Sequence, residues 1–404
     1  MTHIEGGVCA AKGFKAGGVH CGIRKGRTKR DLAMIISEVP ASAAAVYTTN
    51  LVKGAPILVT RKNLADGVAQ AVICNSGNAN TCNANGEEIA LGMCALAASV
   101  SGVRAEDVIV ASTGVIGEPM TLAPMEAGIA PLWAALSDHG SQEAAEAIMT
   151  TDTRLKEIAV SFEVGGTTCH LGGIAKGSGM IHPNMATMLV FLTCDAAISP
   201  AMLRQAISED VKTSFNMVSV DGDTSTNDTL AIMANGLAGN PVIDAPGEDF
   251  DSFCAALAEV THYLCRCIAG DGEGATHLIT CEVCGAPTEQ DAKTAAKAVI
   301  CSSLVKAMIY GEDCNWGRVL CALGYSKASL NPETVDVSFR SAKGVIQVCK
   351  NSSTSFYSEE KAAEILHEHD IDILIDLHCG EASATAWGCD LTYDYVKING
   401  DYRT

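Results

Sequence analysis

The sequence predicts a mixed α/β or α+β fold. Segments with strand character alternate along the chain with segments whose apolar residues recur at helical spacing. No internal repeat or low-complexity stretch interrupts this alternation. Apolar residues make up 48% of the 404 residues and charged residues only 19%, which argues against intrinsic disorder. A chain of this length and composition can bury one large core or two moderate ones.

Two strands and one helix are predicted in the first third of the chain. Residues 72–74, Val-Ile-Cys, read as a buried strand that ends in a polar, turn-rich segment. Apolar residues at helical spacing over 87–100 predict the helix that follows. Residues 107–112 predict another strand, which stops at Thr113 and Gly114.

A glycine-rich segment in the middle of the chain is predicted to be a loop. Residues 172–180 contain four glycines and one lysine, and the apolar run at 188–192 beyond them predicts a buried strand. Ser199 followed by Pro200 predicts a helix start, because serine is a favoured N-cap and proline fits the first helical position. We expect this helix to reach about residue 212.

The clearest candidate for a domain junction lies in the last third of the chain. Residues 285–290, Gly-Ala-Pro-Thr-Glu-Gln, combine chain-breaking and polar residues before a helical pattern over 292–309. We therefore predict a main region at residues 1–284 and a smaller C-terminal lobe at residues 285–404.

The overall charge argues against nucleic acid as a partner. The chain has 47 acidic and 28 basic residues and a formal net charge of −19, whereas phosphate backbones are bound by clusters of lysine and arginine. The densest cationic stretch, residues 24–30, is short and isolated, so we interpret it as a solvated loop. No apolar run approaches the roughly 18 residues of a membrane helix, and the N-terminus does not resemble a signal peptide. We expect a cytoplasmic protein without a membrane contact.

The 18 cysteines are scattered through apolar segments, so we interpret most of them as small buried thiols. Cys281 and Cys284 form the only close Cys-x-x-Cys pair in the sequence. A zinc site would need a second pair of Cys or His ligands at suitable spacing, and none is evident. We interpret the pair as two thiols in a strand and expect no metal.

Thr187 lies between the glycine-rich segment and an apolar run, where a threonine is ordinarily just a β-branched strand residue. The longer segment at 173–189, GIAKGSGMIHPNMATML, resembles the self-cleavage site of the ornithine acetyltransferase family, the bifunctional glutamate N-acetyltransferases of arginine biosynthesis. One position departs from the family pattern, since Cys314 stands where a proline is expected. Further segments that agree with the family lie at residues 112–117, 149–153, 220–228, 270–276 and 309–318, with compatible ends at 13–17 and 398–404.

This resemblance implies a four-layer αββα sandwich with an active site like that of N-terminal nucleophile enzymes, plus a smaller C-terminal α+β lobe. It also implies that the precursor cuts its own bond between Ala186 and Thr187, giving chains 1–186 and 187–404. Thr187 then carries a free α-amino group, with a pKa of about 7.7–8.0, which can act as the base for its own hydroxyl. The cleaved chains are expected to form an α2β2 heterotetramer.

The resemblance also assigns the other site residues. The Thr113 side chain and the Gly114 backbone N–H are the implied oxyanion-hole donors. Lys176 fits a substrate carboxylate, while Glu273 fits the ammonium group of ornithine or assists proton transfer. We interpret His182 as a residue that shapes the loop. The substrate contacts carried over by position are Thr153, Lys176, Thr187, Glu273, Asn399 and Thr404.

The implied reaction is a ping-pong acetyl transfer. Thr187 takes the acetyl group of N2-acetylornithine, releases ornithine and passes the acetyl group to glutamate, which gives N-acetylglutamate. No cofactor is expected, and acetyl-CoA is a candidate second acetyl donor that the sequence does not decide. Two alternatives stay open: a self-processing amidase or aminopeptidase that gives the acyl group to water, and an uncleaved α/β scaffold in which Thr187 is ordinary core.

Overall fold

The computed structural model describes residues 1–24, 26, 28–182 and 188–401. The strands of this part of the chain are β1 (Thr2–Ile4), β2 (Phe14–Val19), β3 (Leu32–Tyr47), β4 (Val68–Asn78), β5 (Val108–Val115), β6 (Lys156–Val164), β7 (Thr167–Lys176), β8 (Leu189–Cys194), β9 (Val218–Ser219), β10 (Thr229–Ala234), β11 (Leu278–Ala286), β12 (Asp336–Ser341), β13 (Gly344–Lys350), β14 (Ser353–Thr354), β15 (Asp370–Asp376) and β16 (Ala382–Cys389). Its α-helices are α1 (Ala55–Asn63), α2 (Gly86–Ser101), α3 (Ala123–Ala135), α4 (Ser141–Ile148), α5 (Pro200–Asp210), α6 (Glu248–Gly270), α7 (Glu289–Cys301), α8 (Ser303–Tyr310), α9 (Trp316–Tyr325), α10 (Glu359–Leu366) and α11 (Tyr393–Gly400).

Local sequence signals predicted several of these elements. The helix expected over 87–100 is α2, and the helix expected after Ser199 is α5, in which the Ser199 hydroxyl caps the backbone N–H of Met202. The helical pattern at 292–309 is divided into α7 and α8. The division falls at Ser302, whose side chain accepts a hydrogen bond from Val305 and so starts a new helix.

The loop expected at residues 172–180 is wrong for its first half, because β7 continues to Lys176. Gly172 and Gly173 are strand residues at which neighbouring groups approach too closely for a side chain. A Cβ at Gly172 would collide with the carbonyl oxygen of Gly7, and a Cβ at Gly173 would collide with Leu192. These glycines therefore allow close packing in a strand rather than ending it.

The chain divides into two compact units. The first comprises Met1–Gly177, Pro183–Phe215 and Thr224–Leu264, and the second comprises Ser178–His182, Asn216–Asp223 and Cys265–Thr404. The predicted junction at 285–290 lies inside the second unit, since β11 ends within this segment, at Ala286, and pairs with both β15 and β16.

The first unit contains a nine-stranded sheet in the order β1-β6-β7-β8-β10-β3-β4-β5, with β2 also paired to β3. Strand β3 belongs to two parts of this sheet. Residues before its bulge pair with β2 and β4, while residues 42–47 pair with β10. One long strand thus joins a half built on β3, β4 and β5 to a half built on β7, β8 and β10.

Helices cover the outer face of each half of the sheet. The inner faces share one core cluster with members from both halves, including Val72, Ile109, Ile174, Phe191 and Met233. Helices α2 and α3 pack on the opposite face of β4 and β5, around residues such as Ile73, Met93 and Leu132. Helix α6 packs on the opposite face of β6 and β7, where Phe253 and Phe162 form an edge-to-face contact with centroids 6.2 Å apart. The predicted αββα order is therefore confirmed in the first unit.

The second unit contains a seven-stranded sheet in the order β14-β13-β12-β15-β11-β16-β9. Helix α7 packs against β11 and β16, and α10 packs against β12 and β13. In the described residues, no helix has both the length and the apolar character needed to cross a membrane.

None of the 18 cysteines forms a disulfide, and most are buried or partly buried. Cys281 and Cys284 lie three residues apart in β11, so their side chains point to opposite faces; Cys281 is buried and Cys284 is exposed. Across the described ranges, no cluster of three or more His, Cys, Asp or Glu side chains could hold a metal ion.

Candidate active site

The predicted site residues fall in both units. Thr113, Gly114, Thr153 and Lys176 belong to the first unit, while Glu273 and Asn399 belong to the second. Three of them are buried or nearly so, namely Thr113, Lys176 and Glu273, whereas Thr153 is exposed between α4 and β6. Ala186, Thr187 and Thr404 lie outside the described residues.

The strand that follows the predicted nucleophile lies within the first sheet, between β7 and β10. Lys176, the last residue of β7, pairs with Leu189, the first residue of β8. On the other side of β8, Thr229 pairs with Leu189, and its backbone N–H donates to the carbonyl of Met188 at 2.9 Å. Lys176 and the start of β10 are therefore neighbours of a strand that begins two residues after Thr187.

The predicted oxyanion-hole residues lie near the end of β5. Thr113 is 9% exposed, and Gly114 pairs with Gly77 of the neighbouring strand β4. The φ angle of Gly114 is 134°, which residues with side chains rarely adopt, and a Cβ here would collide with the backbone of Gly77. Both the backbone conformation and the available space therefore require glycine at position 114.

Asn227 fixes the end of β5 and was not among the residues predicted from the sequence. Its Nδ2 donates to the carbonyl of Ser112 at 3.0 Å and to that of Ala79 at 2.5 Å. Its Oδ1 accepts from the hydroxyls of Thr81 at 2.6 Å and Thr226 at 2.5 Å. This buried amide thus uses both donors and both acceptor positions. A polar Thr-Asn-Asp run directly before an apolar strand is the sequence signal that could have identified it.

Asp152 supports the end of β7 through a buried ion pair. Its carboxylate accepts from Lys156 Nζ at 2.7 Å, from the Gly177 backbone N–H at 2.7 Å and from the Thr150 backbone N–H at 2.9 Å. Burial alone would raise the pKa of Asp152, but the charges of Lys156 and Lys176, with these hydrogen bonds, hold the pKa well below 3.8. Asp152 is therefore ionised and holds the residue that follows Lys176.

Asp228 is equally buried but has fewer partners. Burial raises the pKa of Asp228 well above 3.8, and the Ser225 hydroxyl and the charge of Lys176 oppose this rise only in part. Its Oδ2 has no hydrogen-bond partner among the described residues. The Asp228 carboxyl is thus biased towards its neutral form, so Asp152 is the ionised carboxylate that faces Lys156 and Lys176.

Glu273 is held by local contacts in the second unit. Its backbone N–H donates to the carbonyl of Ser178 at 2.9 Å. Its Oε2 accepts from Asn399 Nδ2 at 2.7 Å, so two residues predicted separately as substrate contacts touch each other. A Cβ at Gly179 would collide with the Glu273 carboxyl group, which explains a glycine at that position.

His182 makes polar contacts within the second unit. Its Nδ1 lies 3.1 Å from Ser219 Oγ and 3.6 Å from Cys301 Sγ. Burial and the positive charge of Lys297 lower the pKa of His182 to about 4. The ring is therefore uncharged at neutral pH. These contacts are consistent with a loop-shaping role, which stays a prediction.

The chain is similar to known proteins over nearly its whole length. The sequence profile of the ArgJ family matches residues 15–404, nearly the whole chain. The chain belongs to the ArgJ family. The resemblance predicted from the segment at 173–189 is therefore confirmed, and ArgJ family membership places the chain among the enzymes of arginine biosynthesis.

Similar proteins agree with the ArgJ family assignment over the full length. The arginine biosynthesis bifunctional protein ArgJ of Symbiobacterium thermophilum is 52% identical over 406 aligned residues, covering 100% of each chain. The protein of the same name from Caldanaerobacter subterraneus is 50% identical over 405 residues, again covering 100% of each. A crystal structure of ArgJ from Bacillus halodurans is 45% identical with a TM-score of 0.51, and covers 53% of this chain and 99% of that chain.

Proposed function

We propose that this chain is a glutamate N-acetyltransferase that moves an acetyl group from N2-acetylornithine to glutamate through an ester on Thr187. The ArgJ family match over residues 15–404 supports the reaction class. The pairing of Lys176 with Leu189 is the structural observation that carries the proposal, because it sets a buried cation beside the strand that follows Thr187. Donor and acceptor both contain an α-carboxylate, which an ammonium group pairs with strongly when water is excluded.

The charges around Lys176 support this role. Lys156 and Lys176 are cations, whereas Asp152 is the ionised carboxylate and Asp228 favours its neutral form. A neutral Asp228 adds no negative charge near Lys176, which favours the binding of a substrate carboxylate there. Lys156 is paired with Asp152 at 2.7 Å inside the first unit.

We propose that the chain first cuts itself. The Thr187 hydroxyl attacks the carbonyl of Ala186, and the peptide C–N bond breaks, which frees the α-amino group of Thr187. Water then hydrolyses the resulting ester, which releases fragment 1–186 and restores the Thr187 hydroxyl. The Bacillus halodurans chain supports this step by its length, since 99% of it corresponds to only 53% of this chain. The proposed fragment 187–404 is likewise slightly more than half of the 404 residues.

In the transfer reaction, the α-amino group of Thr187 takes the proton of its own hydroxyl, and Oγ attacks the acetyl carbonyl. The Thr113 hydroxyl and the Gly114 N–H stabilise the tetrahedral intermediate, at roughly 3 kcal/mol each by mutational precedent. Ornithine leaves with the proton, and its ammonium group is bound by Glu273. The amine of glutamate then attacks the acetyl ester, which releases N-acetylglutamate and restores the Thr187 hydroxyl.

The relatives are named bifunctional, which supports a second activity. We propose acetyl-CoA as the second acetyl donor for glutamate. Thr153 and Thr404 as substrate contacts, the α2β2 assembly and the cytoplasmic location stay proposals of the same kind.

Intact-mass measurement tests the central claim. Purified protein should consist of fragments 1–186 and 187–404, and a Thr187→Ala variant should remain one inactive chain. Thr187→Ser keeps the hydroxyl and should retain part of both activities. Thr193→Ser, a matched change inside β8 that keeps the hydroxyl bonded to Val8, should cleave and transfer fully. An active preparation made only of full-length chain would refute the free-amine mechanism.

Three substrate mixtures separate the alternatives. Acetylornithine with glutamate should give N-acetylglutamate quickly, acetylornithine alone should react slowly, and acetyl-CoA with glutamate tests the second activity. Equal rates of acetylornithine hydrolysis with and without glutamate would favour the amidase alternative.

Thr113→Val tests the oxyanion hole better than a substitution at Gly114, because any side chain at Gly114 disturbs the fold. We expect it to lower cleavage and transfer by about 10²–10³-fold.

A further inference from the structure

A cavity of about 280 Å³ lies along an open edge of β3. The last β3–β4 pair joins Ser42 to Val68, so from Ala44 to Tyr47 this edge has no strand partner in the described chain. Ala43, Ala44 and Ala45 line the cavity, and their short side chains leave its space unfilled.

Two arginines line this β3 cavity from different helices. Arg61 lies in the last turn of α1, and Arg204 lies in α5. Within the residues that the structure describes, neither guanidinium has a hydrogen bond or an ion pair with a protein group. The chain has 47 acidic and 28 basic residues, so a pair of guanidinium groups without a carboxylate partner is a local positive field in an acidic protein.

The Tyr47 side chain adds a third polar group to the β3 cavity. Burial raises the pKa of the Tyr47 hydroxyl, and the positive charge of Arg61 acts against this rise, so the charge of Arg61 is felt at the hydroxyl. The hydroxyl therefore stays protonated at neutral pH and can donate a hydrogen bond. The hydrogen-bond donors that line the cavity therefore include the guanidinium groups of Arg61 and Arg204 and the hydroxyl of Tyr47.

We propose that the β3 cavity binds a diphosphate group, either as free pyrophosphate or as part of a nucleotide. Each planar guanidinium can bind one phosphate group through two parallel hydrogen bonds, and a single carboxylate would occupy only one of the two forks. The cavity of about 280 Å³ is far larger than the space that one water molecule needs, so it has room for a diphosphate. This site is independent of the proposed chemistry at Thr187.

Calorimetric titration of the purified protein with inorganic pyrophosphate tests the proposal. We expect saturable binding at one site per chain, and at least a roughly tenfold loss of affinity in the Arg61→Gln, Arg204→Gln double variant. Lys62→Gln is the matched control, because it removes a cation from the same turn of α1 without lining the cavity. It should bind pyrophosphate within about twofold of the parent. Replacing both arginines with lysine keeps the positive charges but removes the paired guanidinium donors, so the affinity for pyrophosphate should be intermediate.

ADP distinguishes the two sources of the diphosphate. Tighter binding of ADP than of pyrophosphate identifies a nucleotide, and equal or weaker binding identifies the free diphosphate. The proposal is overturned if pyrophosphate does not bind saturably, if the double glutamine variant binds it as tightly as the parent, or if citrate binds as tightly. The midpoint of thermal unfolding with and without pyrophosphate provides a second readout that needs no enzymatic activity.

Discussion

Asp152 and Asp228 are both buried in the first unit, and the charge of Lys176 acts on both, but their pKa values move in opposite directions. Asp152 meets an ammonium group and two backbone N–H donors. Asp228 has one carboxyl oxygen without a partner in the described chain. The comparison shows that a second cation in direct contact, Lys156, together with backbone donors keeps Asp152 ionised, whereas the charge of Lys176 does not do the same for Asp228.

This difference also concerns function. If both carboxyl groups were ionised, their negative charges would weaken the attraction for a substrate carboxylate that we propose for Lys176. The raised pKa of Asp228 therefore favours the role proposed for Lys176.

The largest effect is expected for Asp152→Asn. Removing one partner of a buried ion pair leaves the charge of Lys156 uncompensated, so the free energy of unfolding should fall by about 3–5 kcal/mol at neutral pH. Denaturant unfolding measures this change. The Asp152→Asn, Lys156→Gln double variant should recover part of the loss, and a single variant as stable as the parent would contradict a buried ion pair.

Asn227→Ala should have the next largest effect on the free energy of unfolding. Asn227 directly precedes Asp228 but has more hydrogen-bond partners. The substitution removes four hydrogen bonds between buried groups, and we expect a loss of about 2–4 kcal/mol in unfolding free energy. Because Asn227 holds the end of β5, the kcat of acetyl transfer should also fall, by roughly ten- to hundredfold.

Asn240→Ala is the control for this variant. Asn240 is also a buried amide, bonded to Ala197 and Pro241 away from β5. It should lose stability but keep kcat. Equal losses of kcat in the two variants would show that Asn227 acts only through stability.

The smallest effect, with the opposite sign, is expected for Asp228→Asn. Folding raises the pKa of Asp228, so its contribution to stability is present below its ordinary pKa of 3.8 and is lost as pH rises through the raised value. Asparagine has no such loss, so the variant should be more stable than the parent at neutral pH. Near pH 4 the difference should vanish.

The contribution of Asp152 to stability has the opposite pH dependence. Its pKa is lowered on folding, so its stabilising effect is present above 3.8 and is lost as pH falls below that value. Unfolding of the parent and both variants at several pH values would separate the two residues. Parallel curves for the parent and Asp228→Asn would mean that Asp228 is ionised in the folded protein.

Local signals were sufficient to predict α2, α5 and β8, because periodicity and capping depend on neighbouring residues. The strand character of Gly172 and Gly173 was missed, since it depends on Gly7 and Leu192, which are distant in sequence. Proximity of this kind has no local signature.

The same distinction applies to the candidate site. Family motifs indicated Glu273 and Asn399 separately, but their contact joins α11 to a loop 126 residues earlier. The role of Asn227 depends on carbonyl groups that β4 and β5 present, so it could be recognised only after the sheet was known. The charge near Lys176 likewise depends on the surroundings of two buried carboxyl groups, those of Asp152 and Asp228, and these surroundings are known only from the folded structure.

The order β7-β8-β10-β3 has a consequence for a chain cut before Thr187. Strands β8 and β10 then come from one polypeptide, while β7 and β3 on either side come from the other. The two polypeptides are interleaved, so they cannot dissociate without breaking a backbone ladder on each flank. Refolding after full denaturation becomes a second-order association, and the unfolding midpoint rises with protein concentration. The proposed cleavage would thus exchange a unimolecular folding reaction for an assembly that is made once, from an intact precursor.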